Sequence, residues 1–222
     1  MEQNHQELLH KAIPFQDIGT DEYVQLIDCK SPKVKRFSKN EIMLLSGDAV
    51  THMGIIISGT ANAYLEHIDG SQTIMSRLRP LSVFGEVLAS TRTHKSPVTV
   101  YATSDVTAAF IEYPRIFSMC EKACSAHRVF LQNMLKAVGD KYFRLFDRIN
   151  ILREKTLRAR IMAYLYTQTD SEKEQTVTLP FTKTMLADYL LANRCALSKE
   201  LRKMENDGII TVKGREIAIT SS

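Results

Sequence analysis

Hydrophobic residues between positions 33 and 113 fall into short runs that are separated by turn signals. Four glycines stand between these runs: Gly47, Gly59, Gly70 and Gly85. Short strands at this regular spacing are typical of an antiparallel roll or jelly roll and argue against a doubly wound parallel sheet. Residues 5–12 and 21–29 show the pattern of two short amphipathic helices. The sequence therefore predicts an α+β protein whose N-terminal domain, residues 1–114, is an antiparallel β-roll of the double-stranded β-helix type preceded by two helices.

The spacing of apolar residues becomes helical after Pro114, a residue that suits the first turn of a helix. Apolar positions then recur at steps of three and four: Phe130, Leu131, Met134, Leu135, Val138, Tyr142, Leu145, Phe146 and Ile149. A helix over residues 115–149 would be about 50 Å long, too long for a small β domain to cover. We therefore expect its apolar stripe to pair with a second copy in a homodimer. A helix folded against its own chain is the alternative.

The pattern of residues 150–222 predicts a third domain, built around two short helices joined by a tight turn. In the first of these helices, Thr182 can cap the N-terminus, and the apolar residues share one face. Asn193 can cap the second, in which Leu197, Leu201 and Met204 form one inward stripe. Two strands follow, around a basic turn at residues 213–215. A helix, a tight turn, a helix and a basic hairpin in this order predict a winged helix-turn-helix.

The outward face of the second helix carries Cys195, Lys199 and Arg202, with Ser198 at its edge and Arg194 in its first turn. Arginine can bind guanine as a two-pronged donor, and serine or lysine can reach base edges or phosphates. Hydroxyl, amine and free N–H groups at a helix start can meet backbone phosphates. The candidate DNA contacts are Thr182, Lys183, Thr184, Asn193, Arg194, Cys195, Ser198, Lys199, Arg202, Lys213 and Arg215. A three-helix domain with a solvated basic face is the alternative interpretation.

Composition narrows the function classes. The 222 residues carry a net charge of +4, and most of this excess lies after Ile149, which permits nucleic-acid contact. No run of about 18 uncharged apolar residues exists and the N-terminus has no apolar signal core, so we expect a cytoplasmic protein without a membrane partner. The four cysteines form no CxxC motif and are expected to be reduced thiols. We therefore expect no cofactor.

Taken together, the segments of this chain resemble those of the CRP/FNR family of bacterial transcription regulators. In the first domain the resemblance lies in residues 46–48, 56–64, 78–86 and 96–111. In the last domain it lies in residues 156–165 and, more specifically, 182–210. The resemblance implies a cyclic-nucleotide-binding-type roll, a dimerisation helix and a winged helix that binds an inverted repeat of double-stranded DNA. It also implies a small-molecule effector and, if the protein is an activator, RNA polymerase as a partner.

On the recognition helix, Arg194, Ser198 and Lys199 match the positions at which family members contact bases. Many members have a glutamate where this chain has Cys195. A carboxylate accepts a hydrogen bond from the cytosine amine, and a thiol is a poor substitute for it. We therefore expect the half-site to differ from the best-known half-site of the family.

The effector site departs further from the cyclic AMP receptors of this family. Gly85 and Glu86 match the pair that holds the ribose. The position of the arginine that holds the cyclic phosphate falls on Ser96, which cannot neutralise a phosphate, and Pro97 follows without an N–H. The remaining candidate effector contacts are Lys95, Leu145 and Phe146, the last two at positions where these receptors place hydroxyls against the adenine. We therefore expect an effector other than cyclic AMP.

Two other functions fit a roll of this size. A cupin-type metal-dependent enzyme needs two or three histidines with a carboxylate, usually spaced HxH on one strand. No HxH occurs in the chain and all six histidines precede Ile149, so we expect neither a metal site nor catalysis. A ligand-independent regulator or adaptor with the same fold is the second alternative.

Overall fold

The computed structural model describes residues 3–119, 125–169, 176–179 and 182–220. The chain divides into two compact units, Met1–Asp140 and Lys141–Ser222. Within the described residues, Cys29 is a half-buried free thiol and Cys195 is an exposed one. Cys120 and Cys124 lie outside the described residues. None of the described helices has the length and apolar character needed to cross a membrane.

The N-terminal unit opens with helices α1 (Gln3–His10) and α2 (Thr20–Lys30), with a 3-10 turn at Ile13–Phe15 between them. Eight strands follow: β1 (Lys33–Phe37), β2 (Ile42–Leu44), β3 (His52–Ser58), β4 (Ala61–Glu66), β5 (Gln72–Leu78), β6 (Val83–Phe84), β7 (Thr99–Ala102) and β8 (Val106–Glu112). They form two four-stranded antiparallel sheets, β1-β8-β3-β6 and β2-β7-β4-β5. The predicted antiparallel β-roll is confirmed.

The roll has two apolar layers, because residues along each strand alternate between the two faces of the sheet. Between the sheets, Ile56, Val100 and Ala108 are almost completely buried. On the other face, Ile55 and Ile111 pack in the same cluster as the side chains of the N-terminal helices. A Cβ at Gly54 would overlap the Phe84 ring, so the absence of a side chain there lets the ring lie directly against β3.

A buried lysine connects α2 to the segment after the roll. Lys30 is fully buried, and its Nζ donates hydrogen bonds to the carbonyls of Arg115 (2.8 Å), Ile116 (3.2 Å) and Ser118 (3.0 Å). The ammonium also lies 4.9 Å from the centre of the Phe130 ring. A buried charge is tolerated only where it is paired or hydrogen-bonded, and here three carbonyl dipoles meet that need.

This lysine also explains why the helix that begins at Tyr113 ends at Phe117 and does not continue through Ser118. A short helix, α3, covers Tyr113–Phe117, and Ser118 then has extended backbone (ψ 135). The carbonyls that would accept the next helical N–H groups accept from Lys30 instead. The long helix, α4, covers Ser125–Arg153 in place of the expected 115–149. Its 29 residues make it about 43 Å long.

Helix α4 has two apolar faces. In its first half, Ala126, Phe130 and Met134 are buried in the core of the N-terminal unit. A second stripe advances by alternating steps of three and four residues and is largely exposed. Its most exposed members are Leu135 (74%), Tyr142 (61%), Leu145 (54%) and Ile149 (50%). Among the described residues, these four side chains remain largely exposed.

The C-terminal unit contains the end of α4 and six further elements: α5 (Leu157–Thr167), β9 (Thr176–Thr178), α6 (Lys183–Tyr189), α7 (Arg194–Asn206), β10 (Ile210–Lys213) and β11 (Glu216–Ile219). The strands form an antiparallel sheet in the order β10-β11-β9. The core gathers Ile161 and Leu165 from α5, Leu186 from α6 and Leu197 from α7. The predicted winged helix-turn-helix is confirmed.

Replacing Lys30 with methionine should destabilise the protein by about 3 kcal/mol, because one buried and two partly buried carbonyls lose their donor. Urea unfolding, followed by circular dichroism, measures this loss. The matched control is Lys33→Met, which removes an ammonium with 64% side-chain exposure from an ion pair with Glu112. The control should leave the unfolding midpoint nearly unchanged, because exposed ion pairs contribute little. Equal midpoints for the two variants would contradict the role assigned to Lys30.

Candidate nucleic-acid interface and effector site

Helix α6 begins with an exposed polar group of residues. The Thr182 side chain caps the helix by accepting a hydrogen bond from the Met185 N–H at 3.4 Å. Thr182, Lys183 and Thr184 are all exposed, whereas Leu186 is fully buried. The helix is thus fixed by its apolar side, and its first turn presents hydroxyls and one ammonium to solvent.

The turn between α6 and α7 is tight and includes a strained residue. Leu191 has a φ of +50, in the left-handed region that favours glycine, and is 65% exposed. The Ala192 N–H donates to the Ala187 carbonyl at 2.9 Å. From α5, Arg160 Nη1 donates to the Leu190 carbonyl at 3.3 Å. These bonds hold the two helices of the motif in a fixed relation.

Helix α7 buries one stripe and exposes the opposite face. Asn193 caps it, since its Oδ1 accepts from the N–H groups of Cys195 (2.8 Å) and Ala196 (3.4 Å). The predicted inward residues Leu197, Leu201 and Met204 are buried. The predicted outward residues Arg194, Cys195, Lys199 and Arg202 are exposed, and Ser198 is half-buried. The structure thus brings the candidate base contacts onto one solvent-facing surface.

The hairpin of β10 and β11 carries two exposed cations at its tip, Lys213 and Arg215. The Leu179 N–H donates to the Arg215 carbonyl at 2.8 Å, which ties the tip to the segment after β9. The Val212 N–H donates to Glu205 Oε1 at 3.0 Å, which ties the hairpin to α7. The hairpin and the recognition helix therefore form one connected surface.

Two arginines behind the helix-turn-helix were not among the candidates from the sequence. From α5, Arg158 reaches α7 through Nε to Glu200 Oε1 and through Nη1 to Asp207 Oδ2, both at 2.7 Å. Its hydrogen bonds to these carboxylates raise the pKa of the guanidinium. From α4, the guanidinium of Arg148 lies 5.0 Å from the ring centre of Tyr189 in α6. The spacing of polar and apolar residues indicates which positions are exposed, but a contact between residues far apart in the chain, such as that of Arg158 with Glu200, leaves no such pattern.

The candidate effector residues in the roll lie in a polar region around Tyr113. Gly85 has a φ of +77, and its carbonyl accepts from the Tyr113 hydroxyl at 2.6 Å. Glu86 is only 2% exposed. Burial, together with the nearby Glu86 carboxylate, raises the pKa of Tyr113 to about 12. The His94 ring lies 5.4 Å from the Tyr113 ring, and its buried Nδ1 has no hydrogen-bond partner among the described residues.

The position expected to hold a cyclic phosphate is already bonded to the chain itself. Ser96 is 3% exposed, and its hydroxyl donates to the Val98 carbonyl at 2.7 Å and accepts from the Val98 N–H at 3.3 Å. Lys95 and Pro97 on either side are exposed. The remaining candidates, Leu145 and Phe146, lie on α4 in the C-terminal unit and are about half exposed.

Among the described residues, no cluster of three or more histidine, cysteine, aspartate or glutamate side chains has the geometry to hold a metal ion. His52, the histidine at the start of β3, lies instead beside Glu112, with Nε2 and Oε1 3.8 Å apart.

Comparisons with known proteins match both units. Residues 34–123 match the cyclic nucleotide-binding domain family, and residues 159–221 match the Crp-like helix-turn-helix domain. Electron transport regulator A of Shewanella oneidensis is 24% identical over 215 residues, covering 94% of this chain and 82% of that protein. The catabolite activator protein of Thermus thermophilus superposes with a TM-score of 0.57 at 12% identity, covering 94% and 93% of the two chains. A CooA mutant from Carboxydothermus hydrogenoformans superposes with a TM-score of 0.61 at 21% identity, covering 87% and 86%.

Proposed function

Because the chain belongs to the CRP/FNR family of bacterial transcription regulators, we propose that it works as a homodimer that reads an inverted repeat. Each α7 helix would enter the major groove of one half-site, and the two half-sites would lie about one helical turn, roughly 34 Å, apart. The observation that carries this proposal is the basic outward face of α7, opposite the buried stripe. The protein would act in the cytoplasm, where the chromosome lies.

Base reading falls to the first turns of α7 in this proposal. Arg194 would bind a guanine through two donors, and Ser198 and Lys199 would reach neighbouring base edges. Cys195 lies beside them, exposed, and offers a thiol in place of the carboxylate found in many family members. The half-site would therefore have no preference for the base pair that such a carboxylate selects.

Phosphate binding falls to residues on either side of α7. The first turn of α6 presents Thr182, Lys183 and Thr184, and the tip of the hairpin presents Lys213 and Arg215. Contacts to phosphate fix the register of a protein on DNA without reading the sequence. Asn193 would act indirectly, since its side chain caps α7, and Arg202 would extend the basic face along the groove.

The exposed stripe of α4 supports the dimer. Its members recur at the steps of three and four that pack two helices as a coiled coil. An apolar stripe of this length is unusual on the surface of a monomer and marks an interaction site. Pairing two copies of α4 through this stripe would bury it, and a two-fold symmetric dimer matches an inverted repeat.

The roll would bind the effector near Tyr113. The buried Glu86 side chain and the half-buried His94 ring lie next to this ring. Since the Ser96 hydroxyl is already bonded to Val98 and no arginine stands at that position, the site suits a molecule without a phosphate there. A ligand that fits one arrangement of the dimer better than another would shift the spacing of the α7 helices and so the DNA affinity. In an activator, RNA polymerase would be the further partner.

Arg194→Ala should weaken binding to the preferred duplex by about 1–3 kcal/mol per half-site and relax the preference at the contacted base pair. The preferred duplex is first selected with the wild-type protein from a randomised library, and affinities are then measured by fluorescence anisotropy. Lys213→Ala is the comparison, and it should weaken binding to all duplexes alike and reduce the salt slope by about one per subunit. Equal wild-type affinity for selected and random duplexes would refute the regulator proposal.

Tyr142→Glu should convert the dimer into monomers of 25.2 kDa, because it places two carboxylates in the apolar seam. Its ring is 61% exposed within the monomer, so the subunit itself should stay folded. The control is Arg144→Gln, a change at an exposed position away from the stripe, and it should stay dimeric. Light scattering after size-exclusion chromatography measures both masses. A monomeric wild-type protein at micromolar concentration would exclude this dimer.

Cyclic AMP at millimolar concentration should leave the thermal unfolding midpoint and the DNA affinity unchanged, because Ser96 stands where cyclic AMP receptors have the arginine that holds the cyclic phosphate, and a hydroxyl cannot neutralise that charge. An effector at 100 times its dissociation constant should stabilise the protein by about 2.7 kcal/mol. Thermal-shift screening of nucleotides, organic acids and aromatic compounds compares the two cases. A saturable shift with cyclic AMP would contradict this prediction. A screen in which no compound shifts the midpoint or the DNA affinity would favour the ligand-independent regulator.

A further inference from the structure

We propose that Arg158 is a positioning residue for DNA reading, which sets the orientation of α7 through Glu200 and Asp207. This inference rests on the proposed function, because it assumes that α7 reads bases. The contribution of Arg158 would appear in the discrimination between preferred and random DNA. It would not appear in a direct contact with DNA.

The geometry of this contact is specific. Glu200 lies in the middle of α7, and Asp207, seven residues later, is the C-cap that directly follows the helix. The guanidinium of Arg158 meets both carboxylates, with Nε and Nη1 each 2.7 Å from an oxygen. The guanidinium is planar and its donors have fixed directions. Its bonds to Glu200 and Asp207, at two points seven residues apart, therefore define both the position of α7 and its rotation about its own axis.

The apolar contacts of α7 cannot provide this definition alone. Leu197, Leu201 and Met204 hold the helix against the core, but hydrophobic burial is not directional, so small rotations about the helix axis cost little. The Asn193 cap satisfies the N-terminus of α7 itself and makes no link to α5. Arg158 supplies a directional link between α5 and both the middle and the end of the helix.

The three side chains are partly exposed, so their ion pairs can orient α7 while contributing little to the stability of the fold. The side chains of Arg158, Glu200 and Asp207 are 31%, 24% and 40% exposed. Ion pairs with this access to water contribute little to the free energy of folding. Base reading is far more sensitive, since a functional constellation must be held within about 0.5 Å of its productive geometry. Removing the link should therefore reduce discrimination more than it reduces stability.

A second consequence of removing Arg158 has to be kept apart from positioning. Without the arginine, Glu200 and Asp207 would stand unneutralised on a helix that approaches phosphates, and this would weaken binding to every duplex. The double variant Glu200→Gln with Asp207→Asn removes both carboxylates, and adding Arg158→Gln gives a triple variant without any of the three charges. Repulsion is absent in the triple variant, and the directional link is absent as well.

The test compares the wild type, Arg158→Gln, the double variant and the triple variant. For each, the dissociation constants for the duplex selected by the wild type and for a random duplex are measured at several salt concentrations. The measure of discrimination is the dissociation constant for the random duplex divided by that for the selected duplex. We expect this ratio to fall about tenfold in all three variants, as for one displaced base contact. The fall of this ratio in the triple variant should equal the fall in Arg158→Gln. It should not be the product of the falls in Arg158→Gln and in the double variant, because all three variants break the same link. The salt slope should stay unchanged when both carboxylates are removed.

The charge-matched control is Lys155→Gln, which removes one exposed cation just before α5 and should keep the wild-type ratio. Arg158→Lys retains the charge but not the two-pronged geometry, so its ratio should lie between those of the wild type and Arg158→Gln. Thermal unfolding of every variant shows whether it is folded. If Arg158→Gln is unfolded, the double variant carries the test.

Three results would overturn the inference. A wild-type ratio in the triple variant would mean that Arg158 acts only by neutralising the carboxylates. A uniform loss for all duplexes in Arg158→Gln, with a salt slope reduced by about one, would mean that the arginine binds phosphate itself. A wild-type protein that does not discriminate between duplexes would refute the proposed function as well. That result is separate from the other two, because it is seen before any variant is made.

Discussion

The burial of Leu197, Leu201 and Met204 in the small core of the C-terminal unit is the constraint on which the interface depends. Because these three side chains face inward, the opposite side of α7 must face solvent, and that side carries the basic residues. Directional contacts then add to this burial. The Asn193 cap sets where the helix begins, and the hydrogen bond from Val212 to Glu205 places the hairpin beside it.

Helix α4 meets a different constraint in each half. Its first half is part of the roll core through Phe130 and Met134, while its second stripe is exposed among the described residues. One face of the helix thus packs in the N-terminal unit, and the other is the face that the proposed dimer would bury. Near its end, Arg148 lies over Tyr189 of α6. A shift of α4 in the C-terminal unit would therefore change a direct contact with the helix-turn-helix.

The parts of the structure that the sequence predicted are those governed by local patterns. The alternation of short strands predicted the roll, and the spacing of Leu197, Leu201 and Met204 predicted the outward face of α7. The contacts that were missed join residues far apart in the chain. Arg158 and Glu200 are 42 positions apart, and Lys30 and Ser118 are 88 apart. Neither separation leaves a periodic signal, and a fully buried lysine runs against the usual preference of lysine for the surface. The break after α3 could not be predicted because it depends on that lysine.

The thiol of Cys195 has a consequence for how many operators such a protein can serve. In the proposed complex, a side chain that neither donates nor accepts strongly would leave the base pair beneath it almost without influence on the binding free energy, so that position of the half-site would carry little information. Mutations there would accumulate in promoters without loss of control, and the set of regulated genes could widen without any change in the regulator. The arginine before it and the serine and lysine after it would then carry most of the selectivity of each half-site.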